Sequence, residues 1–453
     1  MLCHKKKTLQ DSSESIISSD DPQSDIKLIP EEKTTFAAWI VTVVCLLLNC
    51  SCAVMWMTAS SVPSMLSEWM NISLTQLNWL SNVSAILTTL VSLLSPLAYD
   101  VLGIKLSLIL CGILNAVGCW VRTISIMVLP EKRYAIFMTG QAIASLGGPL
   151  AYNIGAKFVS VWFAPKHRGI ANTCLSVQIG MALGPLILPL VTPTLQEIPI
   201  MLLCVSAFAT VVAIPTFFIP KKPSVPPCLS ATVEREPFLV GLRHLSKNIR
   251  FWWLTLLASV TAGMTFSVSL LIIEALTPFG YSEQSSGLCA ASVVLAGCIG
   301  GLTTGYWIGK TAQHLMLLKL FTPMSVFSYF LFIFNFIPNA FPIVLLTCII
   351  NGFFCYALFP IYFELAAEIT YPVSESISSC IMWAAMTIAL LIFSIAIDAL
   401  RAGPDSVPPY NMNASMIFVV IAVAIGNLPC FWLKGDLNRL KADKADQNDC
   451  PVL

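Results

Sequence analysis

The chain has 453 residues, 57% hydrophobic and 11% charged, where an ordinary soluble domain carries about 25% charged residues. That composition excludes a soluble globular protein. With 25 Lys and Arg against 24 Asp and Glu, the formal net charge of +1 leaves no global field to recruit nucleic acid or an acidic partner.

The first 35 residues are polar and lack the apolar core and small-residue cleavage site of a signal peptide, so insertion is expected to begin at the first span. Residues 1–36 read as a disordered N-terminal tail, with acids around Ser12, Ser13, Ser15, Ser18, Ser19 and Ser24. Apolar runs of spanning length follow at 37–62, 76–98, 105–129, 134–162, 169–192 and 198–219. A polar stretch, 220–250, opens PKKPSVPP. Six more runs come at 251–276, 286–308, 314–337, 340–367, 374–399 and 413–433, and a polar tail closes the chain at 434–453. Continuous hydrophobicity without period-2 alternation predicts helices and not a membrane barrel. The expected fold class is therefore an all-α membrane protein of twelve transmembrane helices. Its expected domains are two six-helix bundles, 37–219 and 251–433, joined by a cytoplasmic linker.

The positive charges set the orientation. With both termini cytoplasmic, 21 of the 25 Lys and Arg fall inside, and Arg122, Lys132, Arg133 and Arg401 are left for the external side. Of the 16 cysteines, 13 lie in apolar stretches, and Cys3, Cys228 and Cys450 fall in the tails or linker. A disulfide framework is not expected, and no CxxC pair or Cys/His cluster marks a metal site. Six plus six helices about a proline-rich linker is the arrangement of a transporter whose halves rock. A faint repeat supports it: Lys157 precedes Pro165 by eight residues as Glu364 precedes Pro372.

The turn SPLAYDVLGIKL carries a D-x-x-G-x-K pattern, Asp100, Gly103 and Lys105, which resembles the loop motif of the major facilitator superfamily. Gly103 suits a tight turn, and Asp100 is expected to meet the N-terminal end of span eleven near Ser374. The matching turn of the second half, TGYWIGKTAQH, has Gly309 in place of an acid. Five further segments, LNWLSNVSAILTTLVSLLSPLAYD, LNAVGCWVR, SVWFAPKHRGIANT, FSVSLLIIEAL and FELAAEITYPVSESISS, resemble the feline leukaemia virus subgroup C receptor-related transporters, solute carrier family 49, over about residues 37–435. That resemblance implies alternating-access transport of choline and ethanolamine, haem export, or, for one branch, a vitamin-like amine.

The same resemblance implies a substrate-binding set. Trp56 occupies the position of the family's cage tryptophan, 23 residues before Trp79, where ring attraction suits a quaternary ammonium; the plain alternative is a lipid-facing Trp. Gln178 matches a glutamine that would bind the substrate's hydroxyl or head group, or else it is interhelical glue beside Gly180 and Gly184. Phe266 stands where a second cage aromatic, often tyrosine, is found. Thr387 replaces a glutamine of the choline-transporting relatives.

Glu364 and Glu368, at i, i+4 near the cytoplasmic end of span ten, are read as a lock that closes on Lys157, Lys166 or Arg168; the alternative is interfacial solvation. Glu274 and Asp398, near external span ends, are read as wet residues, with attraction of cations to the mouth as the alternative. His4, His167, His244 and His314 all lie in tails, loops or span ends, so no span interior offers haem iron an imidazole. No HExxH, GxSxG or paired interior aspartates appear, so no enzyme is expected. Sequons fall at Asn49, Asn71, Asn82 and Asn413, and Asn71 is the expected glycosylation site.

The sequence thus predicts a multi-pass transporter of a small organic cation, without cofactor or metal, acting as a monomer in the bilayer. A haem transporter and a ligand-binding receptor that does not transport are the alternatives. The plasma membrane is the expected location, an endosomal or lysosomal membrane the alternative.

Overall fold

A computed structural model describes residues 34–164, 167, 171, 175, 179–223, 238–311, 313–333, 338–370 and 373–433. Among them are fifteen α-helices and no strand. In the N-terminal half these are α1 (Phe36–Ser61), α2 (Pro63–Met70), α3 (Leu74–Val101), α4 (Gly103–Ile124), α5 (Pro130–Tyr152), α6 (Gly155–Trp162), α7 (Ile179–Val191) and α8 (Ile198–Ala213). The linker contributes α9 (Phe238–Ser246). The C-terminal half holds α10 (Ile249–Leu276), α11 (Glu283–Thr311), α12 (His314–Ile333), α13 (Phe341–Thr370), α14 (Glu375–Ala399) and α15 (Asn413–Asn427).

Ten helical stretches are long and apolar enough to cross a membrane. The other two of the twelve spans are α7, whose described part has 13 residues, and the pair α5–α6. The sequence predicts one span over 134–162, whereas the chain breaks at Asn153 and Ile154. The reason is local. Gly147, Gly148 and Pro149 precede the break, and Pro149 has no N–H to donate to the turn before it.

Two of the helix starts carry side-chain caps. Ser73 accepts from the Gln76 backbone N–H at 3.2 Å while the Gln76 side chain accepts from the Ser73 N–H at 3.0 Å, a reciprocal box at the start of α3. Asn248 accepts from the Phe251 N–H at 3.2 Å and starts α10. Between α3 and α4, Gly103 takes φ +75°, the left-handed turn that the D-x-x-G pattern calls for.

Two apolar cores lie within the N-terminal half, and a larger one runs through the C-terminal half. Helix α10 is its axis, with Leu270 to Leu276 all buried. Large apolar side chains such as Leu90, Leu94, Leu97 and Val101 of α3 stay exposed, as expected where lipid replaces water as the outer solvent. The halves meet along three seams: α3 on α14, α7 on α11 and α1 on α10. At the α7–α11 seam a β-carbon on Gly287 would collide with the Pro185 carbonyl oxygen, so glycine there permits the close approach of the halves.

Candidate functional site

The α3–α14 seam is an antiparallel ladder of polar pairs. From one end, Asn78 Nδ2 donates to Asp398 Oδ1 at 3.1 Å, Ser394 Oγ to Asn82 Oδ1 at 2.6 Å, Thr89 and Thr387 share a hydroxyl contact at 2.7 Å, and Ser95 Oγ meets Cys380 Sγ at 3.4 Å. Each pair joins the two halves, so every rung must break if they separate along this seam.

Beside the middle of the ladder lies a cavity lined by Trp56, Thr88, Ser92, Tyr152, Asn153, Met181, Phe266, Trp383 and Thr387. Helix α1 supplies Trp56, α3 Thr88 and Ser92, α10 Phe266 and α14 Trp383 and Thr387, so both halves build it. The break after α5 places Tyr152 and Asn153 on its wall. Three of the four residues singled out in the sequence, Trp56, Phe266 and Thr387, thus share one cavity. Gln178 lies outside the described residues.

The wall is aromatic and uncharged. Phe266 stacks on Trp383 with centroids 5.9 Å apart and planes at 14°, and meets Phe359 edge-on at 5.3 Å. Phe363 covers the other flank of Trp383 at 5.9 Å. None of the described lining residues is ionisable as an acid or base near neutral pH, so the space offers π-faces and hydroxyls without a counter-charge. Trp56 Nε1 and Asn153 Oδ1 are buried and without a hydrogen-bond partner among the described residues. Free space at the centre is about 10 Å³, room for one water. Anything larger enters only if the walls move.

At the end that the charge bias predicts to be external, the halves are closed by a buried charge cluster. Arg401 pairs with Glu274 and, at 2.8 Å, with Asp398. From the other half, Asn78 Nδ2 donates to both acids, 3.3 Å to Glu274 Oε2 and 3.1 Å to Asp398 Oδ1. Nearby, the Ser64 backbone N–H donates to Glu283 Oε1 at 2.7 Å, α2 against the first residue of α11. Glu274 and Asp398 are therefore not the wet residues the sequence predicts: the Glu274 side chain is 1% exposed, because Arg401 neutralises it.

Arg122, counted toward the external side, sits in the last turn of α4, 1% exposed, donating to the Met55 carbonyl at 3.0 Å with its guanidinium 4.4 Å over the Phe137 ring.

At the opposite end, Lys157 of α6 pairs with Asp100, so the motif acid has a partner within its own half. Lys105 lies one turn into α4. Glu364 and Glu368 lie on α13, half-buried and buried. Lys166 and Arg168, their other expected partners, lie outside the described residues. Asn71 is exposed at the left-handed cap of α2, φ 55°, and Asn413 is exposed at the start of α15. The sequons at Asn49 and Asn82 are buried. Among the described residues no three His, Cys, Asp or Glu side chains gather to hold a metal.

Sequence inspection misses Trp383 and Asn153. Trp383 had a signal, since it lies four residues before Thr387 and so on the same helix face. Asn153 had a weaker one, the helix-breaking run GGPLAYNIG.

The family model for the Major Facilitator Superfamily matches residues 44–395. The chain belongs to that superfamily. Within it, the chain is similar to solute carrier family 49 member A3 of Danio rerio, 29% identical over 85% of this chain and 84% of the relative. It is also similar to the choline/ethanolamine transporter FLVCR1 of Felis catus, 26% identical over 93% of this chain and 77% of the relative. Among solved structures, the D-xylose-proton symporter superposes with TM-score 0.67 at 14% identity, covering 87% of this chain and 97% of that one. The fucose:proton symporter of E. coli superposes at TM-score 0.60 and 13% identity, over 87% and 100%. Those two share the fold. As a superfamily member this chain has the family and fold of membrane transporters and not of enzymes.

Proposed function

We propose that this chain carries a small organic cation, a choline- or ethanolamine-like amine, across the membrane by alternating access, and that it catalyses no chemical reaction. The observation that carries the reading is the uncharged aromatic cavity at the seam. Aromatic faces in a desolvated space attract an ammonium through the ring quadrupole, about 2 kcal/mol or more for a desolvated contact. A substrate carboxylate or phosphate would find no cation on that wall. The similarity to transporters named for choline and ethanolamine supports the same class.

Trp56 and Phe266 are the cage rings in this account, Thr387 is a polar contact and Gln178 serves the substrate hydroxyl. With both tails cytoplasmic, the Arg401 cluster is the external gate and lies closed. Lys157, Lys166, Arg168, Glu364 and Glu368 close the cytoplasmic side in the alternate state. The cell surface is the membrane of choice and the monomer the working unit. The haem alternative is weaker, because the described lining offers one thioether, Met181, and neither imidazole nor thiolate.

Uptake of radiolabelled choline and ethanolamine into proteoliposomes containing the purified chain tests the reading. Saturable accumulation above empty liposomes supports it. Saturable binding without accumulation would favour the receptor alternative.

A further inference from the structure

The break between α5 and α6 puts an unusual acceptor on the cavity wall. Asn153 caps α5, its N–H donating to the Pro149 carbonyl at 3.1 Å, and its side chain is held by donation from Nδ2 to Ser95 Oγ at 3.2 Å. The direction of that bond is fixed by its neighbour. Ser95 spends its single proton on the Ser92 carbonyl at 2.7 Å, so towards Asn153 its oxygen accepts, which orients the amide. The carbonyl oxygen Oδ1 is thereby left over. Asn153 is 7% exposed, lines the cavity, and its Oδ1 has no partner among the described residues.

A buried acceptor without a donor is unfavourable in the empty protein and is relieved by a ligand that brings one. On a wall without carboxylates, Asn153 Oδ1 is an unsatisfied acceptor that complements the aromatic faces of Trp56 and Phe266. Ring faces attract any ammonium; a carbonyl oxygen adds a directional bond only to one that bears N–H.

We propose that Asn153 is a specificity-determining contact that accepts a hydrogen bond from the ammonium N–H of the substrate, so that it favours primary amines over fully methylated ones. The proposal rests on the amine reading above and deepens it. It also gives the cavity a division of labour, with Trp56 and Phe266 recognising positive charge and Asn153 recognising how many methyl groups the nitrogen carries.

The test is binding of ethanolamine, choline and tetramethylammonium to the purified full-length chain, by calorimetry or ligand-dependent thermal stabilisation, for wild type, Asn153→Ala and Asn153→Asp. In Asn153→Ala the affinity ratio of ethanolamine to choline should fall about tenfold, the scale of one hydrogen bond from a charged donor. Tetramethylammonium binding should stay within about twofold, which also shows that the variant is folded. In Asn153→Asp all three cations should bind more tightly, because the added charge acts on methylated and unmethylated nitrogen alike. Equal losses for all three ligands in Asn153→Ala, or no change in the ratio, would overturn the proposal and leave the amine reading standing. Wild-type protein that binds none of the three would overturn both.

Discussion

Asn78 and Asp398 are 320 residues apart in sequence and meet at 3.1 Å across the seam between the halves. The same Asn78 amide reaches Glu274 at 3.3 Å, so one neutral side chain of the N-terminal half touches both acids that pair with Arg401. The ion pairs are buried within the C-terminal half, and Asn78 ties them to the other half. Removing one partner of a buried ion pair leaves an uncompensated charge and costs about 3–5 kcal/mol. By contrast Lys157–Asp100, with the Asp100 side chain 59% exposed, belongs to the class worth about 0–1 kcal/mol.

That difference sets the first prediction. Asn78→Ala, which removes the hydrogen bonds to charged acceptors across the seam, should destabilise the externally closed state by about 1.5–3 kcal/mol, while Arg401→Met, whose ion pairs lie within the C-terminal half, should lower the stability of the fold by about 3–5 kcal/mol. Labelling of a cysteine introduced at Ser394, buried against Asn82 in the seam, by a membrane-impermeant maleimide reads out the opening. Faster labelling in Asn78→Ala than in the wild type is the expected outcome. Equal labelling in all three proteins would mean that the cluster holds the C-terminal half together without gating.

The second concerns topology. Asn71 sits exposed at the end of α2, whereas the sequons at Asn49 and Asn82 are buried in helices. A glycosidase should shift the mobility of the wild-type chain and not that of Asn71→Gln, and tail epitopes should react only after permeabilisation. Tails labelled on intact cells would reverse the orientation and move the Arg401 gate to the cytoplasm.

A third prediction bears on the cytoplasmic lock. Removing charge at Lys157 or at Glu364 and Glu368 should shift the population toward inward-facing conformations, and reversing the sign on both sides should restore part of the transport if the pairing is direct. Accessibility of a reporter cysteine near Ser374 measures the populations. Identical accessibility in every variant would remove the lock from the mechanism.

Span positions were legible in the sequence because continuous hydrophobicity over about 20 residues has one physical solution in a bilayer. Trp56, Phe266 and Thr387 were legible through family resemblance, and the cavity they share needed the fold, since they come from α1, α10 and α14. The Arg401 cluster was not legible. Its members are 3, 127 and 320 residues apart, and local patterning of Glu274 or Asp398 predicts only an acid near a span end. The burial of Arg122 was not legible for a related reason. Gly118 and Gly140 let α4 and α5 approach closely enough that a β-carbon on either would strike the other helix, and that crossing covers the guanidinium. The α5 break was written locally, but GGPLAYNIG reads equally as a kink or an end until Asn153 is seen on the cavity wall.

Gln178 gives a fourth prediction. Gln178→Ala should weaken binding of choline more than that of tetramethylammonium, since choline alone of the two has a hydroxyl for the amide to satisfy. Equal losses would assign Gln178 to helix packing beside Gly180.

The central claim is that an ammonium is held by ring attraction in the Trp56–Phe266 cavity, and substitution of Trp56 tests it most directly. Affinity for choline or ethanolamine should fall by about 1–2 kcal/mol in Trp56→Ala and by a smaller amount in Trp56→Phe, which keeps a weaker ring face. A Trp56→Ala protein that binds and transports these amines like the wild type would contradict the account.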